Sequence, residues 1–141
     1  MKKLFLSFGL LTGTLMFSQE LSTDLKFMLK NDDPREFSTY VKKNDLNKCF
    51  KIKEEPYSLL ALSIKLESKK VFERLIEEKA DLNLACDEKT PLMFAAKYGK
   101  VDLAKILLKN GADKNLKTSK GLTALDYAKK YEQKELVEIL K

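Results

Sequence analysis

Histidine does not occur anywhere in the sequence. Its absence removes histidine-based general acid–base chemistry, Ser-His-Asp and Cys-His nucleophiles, and histidine-ligated zinc. Cysteine is almost missing as well. Cys49 and Cys86 are the only two, too few to build a structural zinc site. Glycine is sparse, five in 141 residues, and none stands at the upstream spacing that would make Gly99-Lys100 or Lys120-Gly121 a phosphate loop. Asn110-Gly111-Ala112-Asp113 is similar to a calcium loop over those four residues only, and the remaining ligands do not follow. The adjacent carboxylates Asp32-Asp33 and Glu77-Glu78 read as solvated helix ends or turns. The expectation is therefore a protein that is not an enzyme and takes no cofactor or metal.

Long apolar runs are also lacking: nothing reaches the ~20 residues of a membrane-spanning helix. The N-terminus carries a shorter pattern. Met1-Lys2-Lys3 is followed by a mostly apolar stretch from Leu4 to Phe17, then by Ser18-Gln19-Glu20. Positive, apolar, then polar is the order of a secretory signal peptide. Residues 1–18 are read as that signal, cleaved after Ser18, although Met16 at the −3 position is larger than usual. This predicts a periplasmic or secreted protein with no membrane span after cleavage. Apolar residues make up 44% and charged residues 34%, a globular balance. The formal charge is +6; without Lys2 and Lys3, 25 basic residues face 21 acidic ones, a net +4. That excess is too small to imply nucleic acid.

What the sequence does have is an internal period. Thr90-Pro91-Leu92-Met93-Phe94-Ala95-Ala96-Lys97-Tyr98-Gly99 aligns with Thr123-Ala124-Leu125-Asp126-Tyr127-Ala128-Lys129-Lys130-Tyr131-Glu132 at an offset of 33. An offset of 32 aligns Ser58-Leu59-Leu60 with Thr90-Pro91-Leu92, and Ala80-Asp81-Leu82-Asn83 with Ala112-Asp113-Lys114-Asn115. Residues 21–50 match weakly: Leu25, Met28 and Leu29, then Phe37, Tyr40 and Val41, have helical spacing, and Asn44-Asp45-Leu46-Asn47 echoes the turn.

Thr90-Pro91-Leu92, Ala95-Ala96, Tyr98-Gly99 and Leu107-Leu108-Lys109-Asn110-Gly111-Ala112-Asp113 resemble the ankyrin repeat. The resemblance implies an all-α solenoid of about four helix-turn-helix units with hairpin loops. The units are placed at 19–50 (an atypical N-terminal cap), 55–84, 85–117 and 118–141, the last one truncated inside its second helix. Physical chemistry supports the same reading. Thr90 suits an N-cap, Pro91 the first helical position and Gly99 a left-handed stop. Val101, Ala104, Leu107 and Leu108 give the second helix one apolar face. A single unit cannot bury its faces, whereas a stack can. The pattern departs where the family usually has histidine after Thr-Pro-Leu. Met93 and Asp126 stand there, which implies a weaker loop-to-loop hydrogen-bond network.

Cys49 and Cys86 follow the Asp-Leu-Asn turns of adjacent units. They form a candidate disulfide, which an oxidising compartment would permit. Stacked equivalents are often farther apart than the ~7 Å bridging limit, so two separate loop thiols is the preferred reading. The resemblance also implies a binding face of hairpin tips and exposed first-helix edges. Carried over, that face offers Tyr57 and Lys65, then Asp87, Lys89, Lys97 and Tyr98, then Lys120, Leu122, Lys130 and Tyr131. Lysines interleaved with tyrosines suit a protein partner with an acidic surface. The expectation is a monomeric protein–protein interaction module, an inhibitor, immunity or accessory protein for another exported protein. The alternative is a cationic surface binder of nucleic acid or anionic lipid.

Overall fold

A computed structural model describes residues 19–41 and 45–141. The signal-peptide reading of residues 1–18, and Asn44 of the first turn, lie outside the described residues.

Short polar residues set the helix starts. Ser22 caps α1 (Thr23–Asn31), Asp33 caps α2 (Pro34–Tyr40), and Ser58 caps α3 (Leu59–Lys65). Thr90 caps α5 (Pro91–Tyr98), its hydroxyl accepting from the Met93 amide at 3.3 Å, with Pro91 in the first turn. Thr123 caps α7 (Ala124–Lys130) reciprocally: its hydroxyl accepts from the Asp126 amide, and the Asp126 carboxylate accepts from the Thr123 amide. The partner helices are α4 (Lys69–Glu77), α6 (Val101–Lys109) and α8 (Lys134–Leu140). Their starts have no side-chain cap of their own.

Each helix pair turns through a left-handed residue: Asp32 (φ 54°), Glu67 (φ 60°), Gly99 (φ 68°) and Glu132 (φ 56°). Only one of the four is glycine, so three side chains sit where an L-residue pays roughly 1 kcal/mol. At Gly99 a Cβ would also lie 2.5 Å from the Gln133 side chain.

The first helices α3, α5 and α7 pack side by side as an inner row, while α4, α6 and α8 each lean on their own partner. This placement explains the composition of the inner row. Leu59 to Ile64 in α3 and Pro91 to Ala96 in α5 are buried all round, as expected for helices covered on every side. The outer helices bury one stripe only: Val71, Phe72 and Leu75 in α4; Leu103, Ala104 and Leu107 in α6; Leu136 and Leu140 in α8.

The fold is helix-rich but not all-α, which corrects the sequence expectation. Three strands form one sheet in the order β1 (Gln19–Glu20), β2 (Cys49–Ile52), β3 (Glu55–Ser58). β2 and β3 make an antiparallel hairpin with Phe50 opposite Tyr57, and β1 adds in parallel, Gln19 opposite Phe50. Phe50 and Tyr57 drive the hairpin because both side chains face the core and are buried.

Polar ties run between the units. The Asp32 carboxylate accepts from the Lys70 and Val71 amides at 3.0 and 2.8 Å, capping α4 from outside. The Asn47 and Asn83 side-chain carbonyls accept from the Asp81 and Asp113 amides at 2.8 and 2.9 Å. The asparagine ending each Asp-Leu-Asn turn thus becomes a rung to the next turn. Cys49 and Cys86 are joined by a disulfide with Cα atoms 5.8 Å apart, so the structure replaces the reading of two separate thiols. Cys86 lies in a tight turn, where it forms a small antiparallel bridge with Lys89.

Candidate binding face

The inner row sets the geometry of the face. α3, α5 and α7 end in Lys65, Lys97-Tyr98 and Lys130-Tyr131, so helical register brings lysine and tyrosine to the same edge of successive units. The Lys97 ammonium lies 5.3 Å from the centre of the Tyr98 ring and 5.8 Å from that of Tyr131. Lys130 lies 5.8 Å from the Tyr131 ring. These are cation–π distances, and the Lys97–Tyr131 contact crosses between units. Lys97 and Tyr98 are half-buried, while Lys130 and Tyr131 are exposed. Tyr131 therefore presents a large apolar side chain to solvent beside two cations, the kind of side chain that anchors protein interfaces.

The Tyr57 ring does not belong to that surface. The sequence placed it among the partner-binding side chains, but it is fully buried. It faces inward from β3, its ring centre 5.1 Å from that of Phe94, which continues to Tyr98 at 6.2 Å. Its hydroxyl alone reaches the edge of the cluster, donating to the Glu55 carboxylate and accepting from the Lys65 ammonium at 2.5 Å. Burial, and then the bond to Glu55, hold the Tyr57 phenol well above its ordinary range. The Glu55 carboxyl is held below its ordinary value, first by the Tyr57 hydroxyl and further by Lys65, Lys97 and Lys89. Glu55 was missed from sequence because its role depends on the hairpin turning it towards Tyr57 and Lys65 of its own unit and the lysines of the next.

The remaining residues scatter. Asp87 and Lys89 pair with each other across their turn at 3.3 Å. Asp87 and Glu88 are both left-handed there (φ 51° and 64°), the backbone of a type I′ turn. The neighbouring tip is tied to this one by the Ser119 hydroxyl, which donates to Glu88 at 2.7 Å. Lys120 stands exposed at that tip. Leu122 is half-buried, packs on the core and closes its own turn with Thr118. The structure thus gathers Lys65, Lys97, Tyr98, Lys130 and Tyr131 along one edge. Asp87, Lys89 and Lys120 sit at loop tips, and Leu122 serves packing.

Among the described residues no group of three His, Cys, Asp or Glu side chains is placed to hold a metal ion, and no helix is long and apolar enough to cross a membrane.

A stack of two-helix units with a lysine–tyrosine edge defines a repeat protein. Comparison with known families gives the repeat its name: residues 75–128 match the family described as ankyrin repeats (many copies). The curated relative "Ankyrin repeat and KH domain-containing protein mask-1" of Caenorhabditis elegans is 41% identical over 71 residues. The match covers 50% of this chain but 3% of that protein. Both findings support the ankyrin family. Ankyrin repeats are generally non-catalytic protein–protein interaction modules.

Proposed function

We propose that this chain is an exported, monomeric, non-catalytic binding module that grips an acidic segment of a protein partner on the Lys65–Lys97–Lys130 edge. The observation that carries the reading is Lys97, held between the Tyr98 and Tyr131 rings of successive units. A cation fixed over aromatic rings keeps its charge while losing little further freedom on binding. The neighbouring tyrosine supplies the apolar area that charge alone lacks. Export is supported by the signal-like residues 1–18 and by the Cys49–Cys86 disulfide, since such bonds persist in oxidising compartments. Cleavage after Ser18 would leave β1, which begins at Gln19, intact. The role that fits a small exported binder of this kind is restraint or support of another exported protein.

The test is affinity capture from the exported fraction, with wild-type chain against Lys97→Glu/Lys130→Glu. A partner held by the wild type should be lost from the double variant. With that partner purified, association should slow at least about tenfold and lose much of its salt dependence. Equal capture by both chains would refute the assigned face. Steep, sequence-independent salt dependence with DNA or anionic vesicles would instead favour a cationic surface binder.

A further inference from the structure

We infer that Glu55 is an internal stand-in for the partner's carboxylate, so that the site is a carboxylate receptor already occupied by the chain's own hairpin. The inference rests on the binding face proposed above and adds its regulation.

The geometry is that of a two-donor receptor. The Tyr57 hydroxyl donates to Glu55 Oε2, and Lys65 Nζ stands 2.5 Å from that hydroxyl and 3.9 Å from the same carboxylate oxygen. The two donors come from separate elements, β3 and α3. Both are packed: the Tyr57 ring lies against Phe94, and Lys65 lies 4.3 Å from the Tyr57 ring centre. The guest is not locked. The Glu55 side chain is 60% exposed, at the start of β3 just after the left-handed Lys53. It can swing into solvent while the Tyr57 ring stays packed, leaving the Tyr57 hydroxyl to donate to the incoming carboxylate. The Tyr57 hydroxyl first, then Lys65 of the same unit and Lys97 and Lys89 of the next, hold the Glu55 carboxyl below its ordinary value. An exposed ion pair contributes little net stability. An incoming Asp or Glu could therefore replace Glu55 nearly isoenergetically at this spot, and its flanking contacts with Tyr98 and Tyr131 would decide the exchange. Glu55 also keeps the buried phenol paired while no partner is present.

The probe is a fluorophore-labelled, end-capped hexaglutamate peptide, read by anisotropy at low salt. Glu55→Gln should bind it about fivefold more tightly than wild type, the ratio expected for removing one exposed competing charge. Lys65→Met should weaken binding, and Glu55→Gln in that background should give no further gain, since the pair acts through one contact. Glu36→Gln on α2 makes the same change in net charge elsewhere. If it tightens binding as much as Glu55→Gln, the effect is bulk charge and the inference fails. The inference also fails if Glu55→Gln leaves affinity unchanged while thermal unfolding shows the fold intact. Should Lys97→Glu/Lys130→Glu still weaken binding in that case, the binding face stands and only the stand-in is lost. If the double reversal has no effect either, the face itself is wrong.

Discussion

The N-terminal helix pair and the α5–α6 pair have the same outline and are held by different forces. α5 buries every residue from Pro91 to Ala96. α1 buries only Leu25 and Leu29, and leaves Phe27 62% exposed. Among the described residues α5 and α6 have neighbouring units on both sides and α1 and α2 on one, so burial between described units does less for α1 and α2. Specific ties compensate. The Asp32 carboxylate caps α4, the Ser68 hydroxyl donates to the Leu29 carbonyl, and Asn47 accepts from the next turn. β1 joins β2, and the disulfide links β2 to the Cys86 turn. Where a unit lacks buried area, directional and covalent links hold it in register.

Breaking the covalent link should have the largest effect. The disulfide closes a loop with sequence separation 37, for which chain-entropy estimates give about 3–4 kcal/mol. Cys49→Ser/Cys86→Ser should lower the unfolding free energy by that amount, with a lower denaturation midpoint and hydrogen exchange rising first in α1 and α2. A midpoint indifferent to reduction would mean that the N-terminal pair does not depend on the bond. Asp32→Ala should follow, costing about 2 kcal/mol, because two amides at the start of α4 lose their acceptor. Urea titration checks this, and a loss below a few tenths would show that water replaces the carboxylate. Asn83→Ala should cost about 1 kcal/mol by removing one rung between turns. A similar cost for Asn47→Ala would show that the rungs count equally at the end and in the middle.

Glu67→Gly sharpens the comparison in the opposite sense. Glycine relieves a left-handed residue (φ 60°), offset by greater freedom in the unfolded chain and by loss of the exposed Glu67–Lys100 pair. A net gain of about 0.5 kcal/mol is expected, and a loss would show that the ion pair outweighs the strain. The smallest effect concerns pH. Hydrogen bonds from the Thr123 amide and hydroxyl hold Asp126 below its ordinary value of 3.8. A carboxylate with a lowered folded-state pKa stabilises the fold above its unfolded value and loses that contribution as pH falls through the folded one. The acid limb of stability below pH 3.8 should therefore flatten in Asp126→Asn. An unchanged limb would place the acid sensitivity elsewhere.

The period, the cap at Thr90, the Pro91 helix start and the Gly99 stop were legible in sequence because each is decided within a few residues by backbone stereochemistry and local hydrogen bonds. The reciprocal Thr123–Asp126 cap was not read from sequence, where Asp126 stood only as a departure from the expected histidine; the structure shows it. Lys97, Tyr98, Lys130 and Tyr131 could be placed at matching helix ends because the 33-residue offset repeats them.

Only the tertiary structure decided the rest. Whether Tyr57 faces a partner or the core depends on β3 pairing with β2, and on Phe94 arriving from the next unit. Whether Cys49 and Cys86 meet depends on how closely two turns approach, and Asp32 and Glu55 act on groups that the chain reaches later. Sequence by itself determined the repeating two-helix unit, since short-range rules suffice to write it. Stacking determined which side chains became rungs, clamps, buried rings and surface cations, because those roles are set by distances between units, and local spacing does not encode them.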